Sequence, residues 1–263
     1  MHYLRLIRSF FRASVQNEMA HRSNFWISLL HSMLNLITGV LGVVVLFGQV
    51  ESINGWNFAT TLAILGVYLT AGALRGLFLG PSLEALSGMD GEVWTGKLDF
   101  TLLRPVDVQF QASFRHWRPL ALLDLLMGLG VLLAAGLRLG SSLQLTNLLG
   151  FALTLGVGVV ILYAILLIFA GLVFWSPGFL FTWVFDGLFQ MARYPLGVYP
   201  QWVQLLLTWI IPVGVITTLP AQALAGELRG GMLLAALALA MLLLIGASWL
   251  FRHGLRRYAS ASS

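Results

Sequence analysis

Residues 145–174 read LTNLLGFALTLGVGVVILYAILLIFAGLVF, thirty positions without one charged side chain. About twenty apolar residues suffice to carry a helix across the hydrocarbon core of a bilayer. This run is long enough to cross at a tilt. It is apolar on every face, which excludes the every-second-residue alternation of a membrane β-barrel. Comparable runs lie at about Phe25–Phe47, Asn57–Leu79, Pro119–Leu137 and Met232–Phe251. The chain of 263 residues is 59% hydrophobic and 10% charged, with a mean hydropathy of +0.88. Soluble domains carry about 25% charged residues, so this chain has too few charges to cover itself in water. The sequence predicts an all-α integral membrane protein forming one domain over 1–263.

Charge sets the expected orientation. Lys and Arg cluster before the first span (Arg5, Arg8, Arg12, Arg22), between spans two and three (Lys97, Arg104, Arg115, Arg118) and after the last (Arg252, Arg256, Arg257). The other side holds Arg138 and Arg229. By the positive-inside rule both termini are cytoplasmic. Even parity then requires six crossings, one more than the five plain runs. Two apolar pieces compete for it, Phe179–Arg193 and Trp202–Leu219, and the sequence does not say which crosses fully. The other is expected to be re-entrant or interfacial. Pro195, Pro200, Pro212 and Pro220 punctuate this region, and irregular backbone at membrane depth survives only inside protein or beside water.

The N-terminus reads as an amphipathic interfacial helix over 1–24. Leu4, Ile7, Phe11 and Val15 form an apolar stripe, and Arg5, Arg8 and Arg12 form a basic one facing lipid phosphates. Those arginines also break the first apolar stretch, so no cleavable signal peptide is expected. The net charge of +5 is accounted for by membrane lipid and orientation, and nucleic acid is not expected as a partner. There is no cysteine, which excludes disulfides and thiolate metal sites.

Enzyme motifs fail on inspection. Gly91–Leu98, GEVWTGKL, approaches a phosphate-binding loop, but Leu98 replaces the magnesium-binding hydroxyl and LSGMD precedes it instead of a strand. HExxH and GxSxG are absent. Asp124 and Asp186 lack the glycine context of an intramembrane protease pair. No catalytic, metal or cofactor site is expected in this chain. Arg75 and Asp124 fall at similar depth in neighbouring spans, which predicts an intramembrane ion pair. Gly72, Gly76 and Gly80 recur every four residues, a generic pattern for close helix packing.

The strongest functional feature is the basic-side segment Pro81–Asp107, within a loop over 81–118. It mixes Glu84, Asp90, Glu92, Lys97, Asp99, Arg104 and Asp107 with Leu98, Phe100, Leu102 and Leu103. Exposed Phe and Leu in a plain loop are unusual, so a short helix docking into a soluble partner is expected.

Within this segment, Gly96–Asp107 reads GKLDFTLLRPVD. Three further stretches follow in order: Ala192–Pro200 (ARYPLGVYP), Ile211–Gly226 (IPVGVITTLPAQALAG) and Gly254–Ser260 (GLRRYAS). Together they resemble the ABC-2 type transporter permeases, in the subgroup formerly classed as a domain of unknown function. That resemblance implies a six-span permease subunit of an ABC exporter in the bacterial cytoplasmic membrane. It implies a second permease, identical or homologous, and separate ATP-binding subunits holding ATP and magnesium. It makes Gly96, Lys97, Leu98, Asp99, Arg104 and Pro105 the coupling segment to the ATPase. It makes Phe179–Arg193 span five and residues 195–230 an external re-entrant region, with Arg193, Tyr194, Pro195, Pro200, Pro212 and Pro220 near the gate. Alternating access would move an amphipathic or hydrophobic substrate outward. Two alternatives remain: a self-contained membrane enzyme acting on lipid or peptide, and a non-transporting anchor or assembly factor.

Overall fold

The computed structural model of the chain describes residues 2–20, 22–140, 144–178 and 181–258. Phe179 and the motif residues Ala259 and Ser260 lie outside them. The described residues form helices α1 (His2–Met19), α2 (Arg22–Phe47), α3 (Phe58–Leu74), α4 (Gly80–Glu84), α5 (Leu98–Leu102) and α6 (Val108–Phe114). Then come α7 (Leu122–Leu139), α8 (Leu145–Leu172), α9 (Phe181–Met191), α10 (Gln201–Leu205), α11 (Val213–Ala225) and α12 (Gly230–Arg257). There is no β-strand among them. Five helical stretches are long and apolar enough to cross a membrane: Ser23–Phe47, Phe58–Glu84, Pro119–Leu139, Leu145–Leu172 and Gly230–Arg257. These are the five runs read from hydropathy. Asn57 caps α3 through a reciprocal bond with Thr60, satisfying two helix-end donors at once.

Small residues decide which helices pack. Lipid supplies no hydrophobic drive for helix association, so close backbone approach matters most. A Cβ on Gly128 of α7 would lie 2.8 Å from the Thr70 nitrogen of α3, and one on Gly66 of α3 would lie 2.9 Å from the Leu132 nitrogen. The two helices therefore run antiparallel, nearly backbone to backbone. On the other flank α8 lies parallel to α12, Gly171 against the Phe251 backbone and Phe174 edge-on to Phe251 at 5.5 Å.

The region between α8 and α12 differs from expectation. An isolated helix needs about 30 Å to cross, and α9, with eleven residues, reaches about half that at 1.5 Å per residue. Beyond Met191 the chain continues largely without helix. Asn35 of α2 holds Arg193, Tyr194 abuts Gly42, and the Asn54 amide donates to the Gly197 carbonyl at 2.6 Å. The segment thus runs from the level of Arg75 to the opposite end of the bundle, helical only over its first half. The exposed carbonyls are met by side chains: Thr217 donates to Ala192 O and Tyr199 to Met191 O. Arg193, just beyond α9, is half-buried. It sits beside Tyr68 and Asn35 within the bundle.

Pro195 precedes a short turn at Leu196–Val198, Pro200 precedes α10, and Pro212 precedes α11. A π turn, Leu206–Ile210, extends α10, and the chain then bends by 91° into α11. Helix α11 packs between α3 and α8, its Ile216 against Gly158 and its end, Gly226, beside Asn147 at the start of α8. Pro220 does not end this piece. It lies buried inside α11, which continues to Ala225. A proline leaves the carbonyl four residues back without a donor. That carbonyl, Ile216 O, faces Gly158, where the missing side chain lets α8 approach.

Candidate functional site

Residues 81–118 fold into a compact unit at one end of the bundle, which also holds the C-terminal end of α12. Leu83, Leu86, Val93 and Leu98 are buried together. Gly96 turns the chain at a positive φ of 72°, a conformation open to glycine, so that α5 can begin. Glu92 binds the Arg115 guanidinium at 3.1 Å and His116 at 3.5 Å, and Arg115 also donates to Thr101 at 3.1 Å. Burial alone would raise the Glu92 carboxyl, but the His116 hydrogen bond and the Arg115 charge hold it below the ordinary range. Ser82 accepts from the His116 backbone nitrogen at 2.6 Å and donates to its carbonyl at 3.1 Å, tying α4 to the exit of the segment.

This scaffold presents Met89, Trp94, Phe100, Leu102 and Leu103 outward, Phe100 at 70% and Leu103 at 82% exposure. Lys97, Arg104 and Pro105 are exposed among them. Leu98 is a correction: it is a core residue, 1% exposed, and cannot meet a partner. Asp99 is half-buried and faces Tyr258 just after α12. Burial and the Asp99 charge push the Tyr258 hydroxyl up to about 12. The segment around the GEVWTGKL stretch is built of turns and the start of α5, with no strand before it among the described residues.

Helix α1 is clamped to the exit of this unit. Tyr3 meets Phe110 edge-on at 4.7 Å, and Phe11 meets Trp117 at 5.4 Å. Ser14 accepts from the Trp117 nitrogen, and Glu18 from the Leu120 nitrogen at 2.9 Å. The expected apolar stripe is therefore divided. Phe11 is turned toward protein, whereas Leu4 is exposed alongside Arg5, Arg8 and Arg12.

Inside the bundle, Arg75 does not pair with Asp124. Its guanidinium binds Glu84 at 2.7 Å and Asp186 of α9, over the ring of Phe185. Depth alone was a poor guide because azimuth also counts. The antiparallel register that sets Gly128 against Thr70 brings Asp124 opposite Leu74, one residue and about 100° around the helix from Arg75. Arg75 opens a π turn, Arg75–Leu79, and the Leu77 carbonyl in it accepts from the Arg118 nitrogen at 3.0 Å. Two carboxylates offset the cost of removing one guanidinium from water.

Arg75, Asp124 and Asp186 nonetheless share one cavity of about 770 Å³, bounded by α2, α3, the starts of α4 and α7, and α9. Tyr68 and Phe189, stacked at 5.0 Å, form its apolar wall. Hydropathy did not disclose this cavity, since its polar groups come singly from several elements. The sequence singled out Arg75, Asp124 and Asp186 but did not bring all three together. Among the described residues no group of three His, Asp or Glu side chains could hold a metal ion.

Residues 33–262, from within α2 to beyond α12, match the family described as ABC-2 family transporter protein. The chain belongs to the ABC-2 transporter family. No curated protein matches it. ABC-2 membership makes the chain a multi-pass permease of an ABC transporter and implies association with an ATP-binding subunit. Permeases of this family are generally non-catalytic.

Proposed function

We infer that the chain is the membrane subunit of an ATP-driven exporter in a bacterial cytoplasmic membrane. Its termini and residues 81–118 face the cytoplasm. A separate ATPase docks on the tip formed by Met89, Trp94, Phe100 and Leu103, and a second permease completes the path. ATP binding moves the tip, and the cavity releases its substrate outward. Residues 195–230 form the external gate region. The observation that carries this reading is the tip itself: apolar side chains held outward on a scaffold braced by the Glu92–Arg115 ion pair.

Burying a Phe or Leu side chain contributes about 1.5–3 kcal/mol. Phe100→Asp and Leu103→Asp should each weaken association with the co-expressed ATPase by at least roughly tenfold while leaving the permease folded. Asp99, Arg104 and Pro105 variants should uncouple transport from ATP hydrolysis. If no ATP-binding chain co-purifies with the wild-type complex in mild detergent, the transport reading fails.

A further inference from the structure

The cavity beside Arg75 names a substrate class. We propose that it binds a positively charged group carried on an apolar body, and this deepens the transport reading on which it rests. Four carboxylates line the cavity (Glu18, Glu84, Asp124, Asp186) against two guanidiniums (Arg75, Arg118) and one imidazole, His31. Arg75 is already committed to Glu84 and Asp186. Glu18 is committed to the Leu120 nitrogen. Asp124 and Arg118 have no ion-pair partner among the described residues, but Arg118 is exposed whereas Asp124 is half-buried. Arg193 stands outside the lining, over Tyr68 and bound to Asn35, and counting it still leaves one negative charge in excess with His31 neutral.

An ionised side chain at membrane depth is costly unless it is matched. The described surroundings of Asp124 do not match it, so a cationic ligand supplies what the wall lacks. The rest of the wall sets the ligand's other half. The faces of Phe189 are covered by Tyr68 and Phe185, so the aromatic side offers apolar edges rather than a free ring face. Ile27 and Leu69 extend the same surface. About 770 Å³ accommodates a molecule of drug size. An anion of equal shape meets the same apolar wall but the wrong charge.

The test uses the full chain in detergent micelles, without ATPase, and two probes of one shape and opposite charge. Tetraphenylphosphonium should bind saturably at one site per chain in equilibrium dialysis, and tetraphenylborate should not. Asp124→Asn should weaken cation binding roughly tenfold. Asn24 lines the cavity from an exposed position on α2, so charge can be changed there with little risk to folding. Asn24→Arg should weaken binding and Asn24→Asp should strengthen it. Equal binding of both probes, or affinities unmoved by the Asn24 pair, overturns the proposal. Displacement of the cation by added phosphatidylethanolamine identifies an aminolipid as the source of the charged group; its failure to displace identifies a soluble amine. The two readings fail separately. Cation binding without ATP-driven accumulation in proteoliposomes ends the exporter reading and leaves the site. Transport of anions by a chain that binds no cation does the reverse.

Discussion

Helices α8 and α2 are similarly long and similarly apolar, yet they occupy opposite positions in the molecule. Of the most apolar stretch of each, 56% is buried in α8 and 17% in α2. Helix α8 carries glycines where α11 and α12 press their backbones against it. Helix α2 touches the rest at scattered points: Gly39 against a flexible Leu65 side chain, Asn35 at Arg193, and Phe47 edge-on to Phe58. Hydropathy therefore marks where a helix crosses, while small residues mark where it is held. The consequence for function is that α8 belongs to a fixed frame and α2 forms a wall of the cavity with few restraints.

The strongest way to break this contrast is within α8 itself. Gly158 faces the Ile216 carbonyl at 3.1 Å from an added Cβ, while nothing lies within 4 Å of one at Gly156. Gly158→Leu should lower stability by about 3 kcal/mol, and Gly156→Leu should be neutral or slightly stabilising. Thermal unfolding in detergent compares them; equal effects would undo the idea of a glycine-built frame. Next in size is Arg75→Ala, which leaves Glu84 and Asp186 unmatched at a site where Arg75 is 14% exposed. Because both acids are partly solvated, a loss of about 2 kcal/mol is expected in the same assay.

A smaller effect is expected from Asn35→Leu. It should cost under about 1 kcal/mol globally but raise hydrogen exchange across α2 and leave α8 unchanged. A rise in both helices would mean that α2 is part of the frame. The smallest effect at neutral pH concerns the tip. Glu92 has a lowered folded-state value, so its contribution is complete above the ordinary value of 4.5 and is lost as pH falls through the lower folded value. Limited proteolysis of residues 81–118 should be unchanged at neutral pH and increase only below about 4.5, whereas Glu92→Gln should show the increase already at neutral pH. Acid sensitivity that persists unchanged in Glu92→Gln would assign it elsewhere.

Much of the frame was legible because charge-free runs and capping residues act locally. The apolar run beginning at Asn57 announced α3, and Pro212 announced the break before α11. What escaped depends on partners distant in the chain. Pro220 looked like a terminus because the glycine that accommodates its carbonyl lies on α8. Arg75 found Asp186 because α9 enters beside α3, which spacing within one helix cannot show. Leu98 looked available because it neighbours Phe100, but the turn at Gly96 and the clamp at Glu92 roll it inward. The tip was visible as a segment and its facing residues were not. The charged residues of the cavity were visible one by one, and their meeting was not.

The π turn at Arg75–Leu79 gives span two one more residue than a regular helix would place there. The wide turn absorbs that residue, so everything that follows, from Glu84 to the exposed Phe100, keeps the bearing of the helix before it. Deleting Gly76 would let the turn close as a regular one, whereas adding a residue to the already wide turn would swing the whole tip by about 100° while the frame behind it stayed still. The heading of the tip is thus held as a phase, kept by the number of residues in one wide turn of span two.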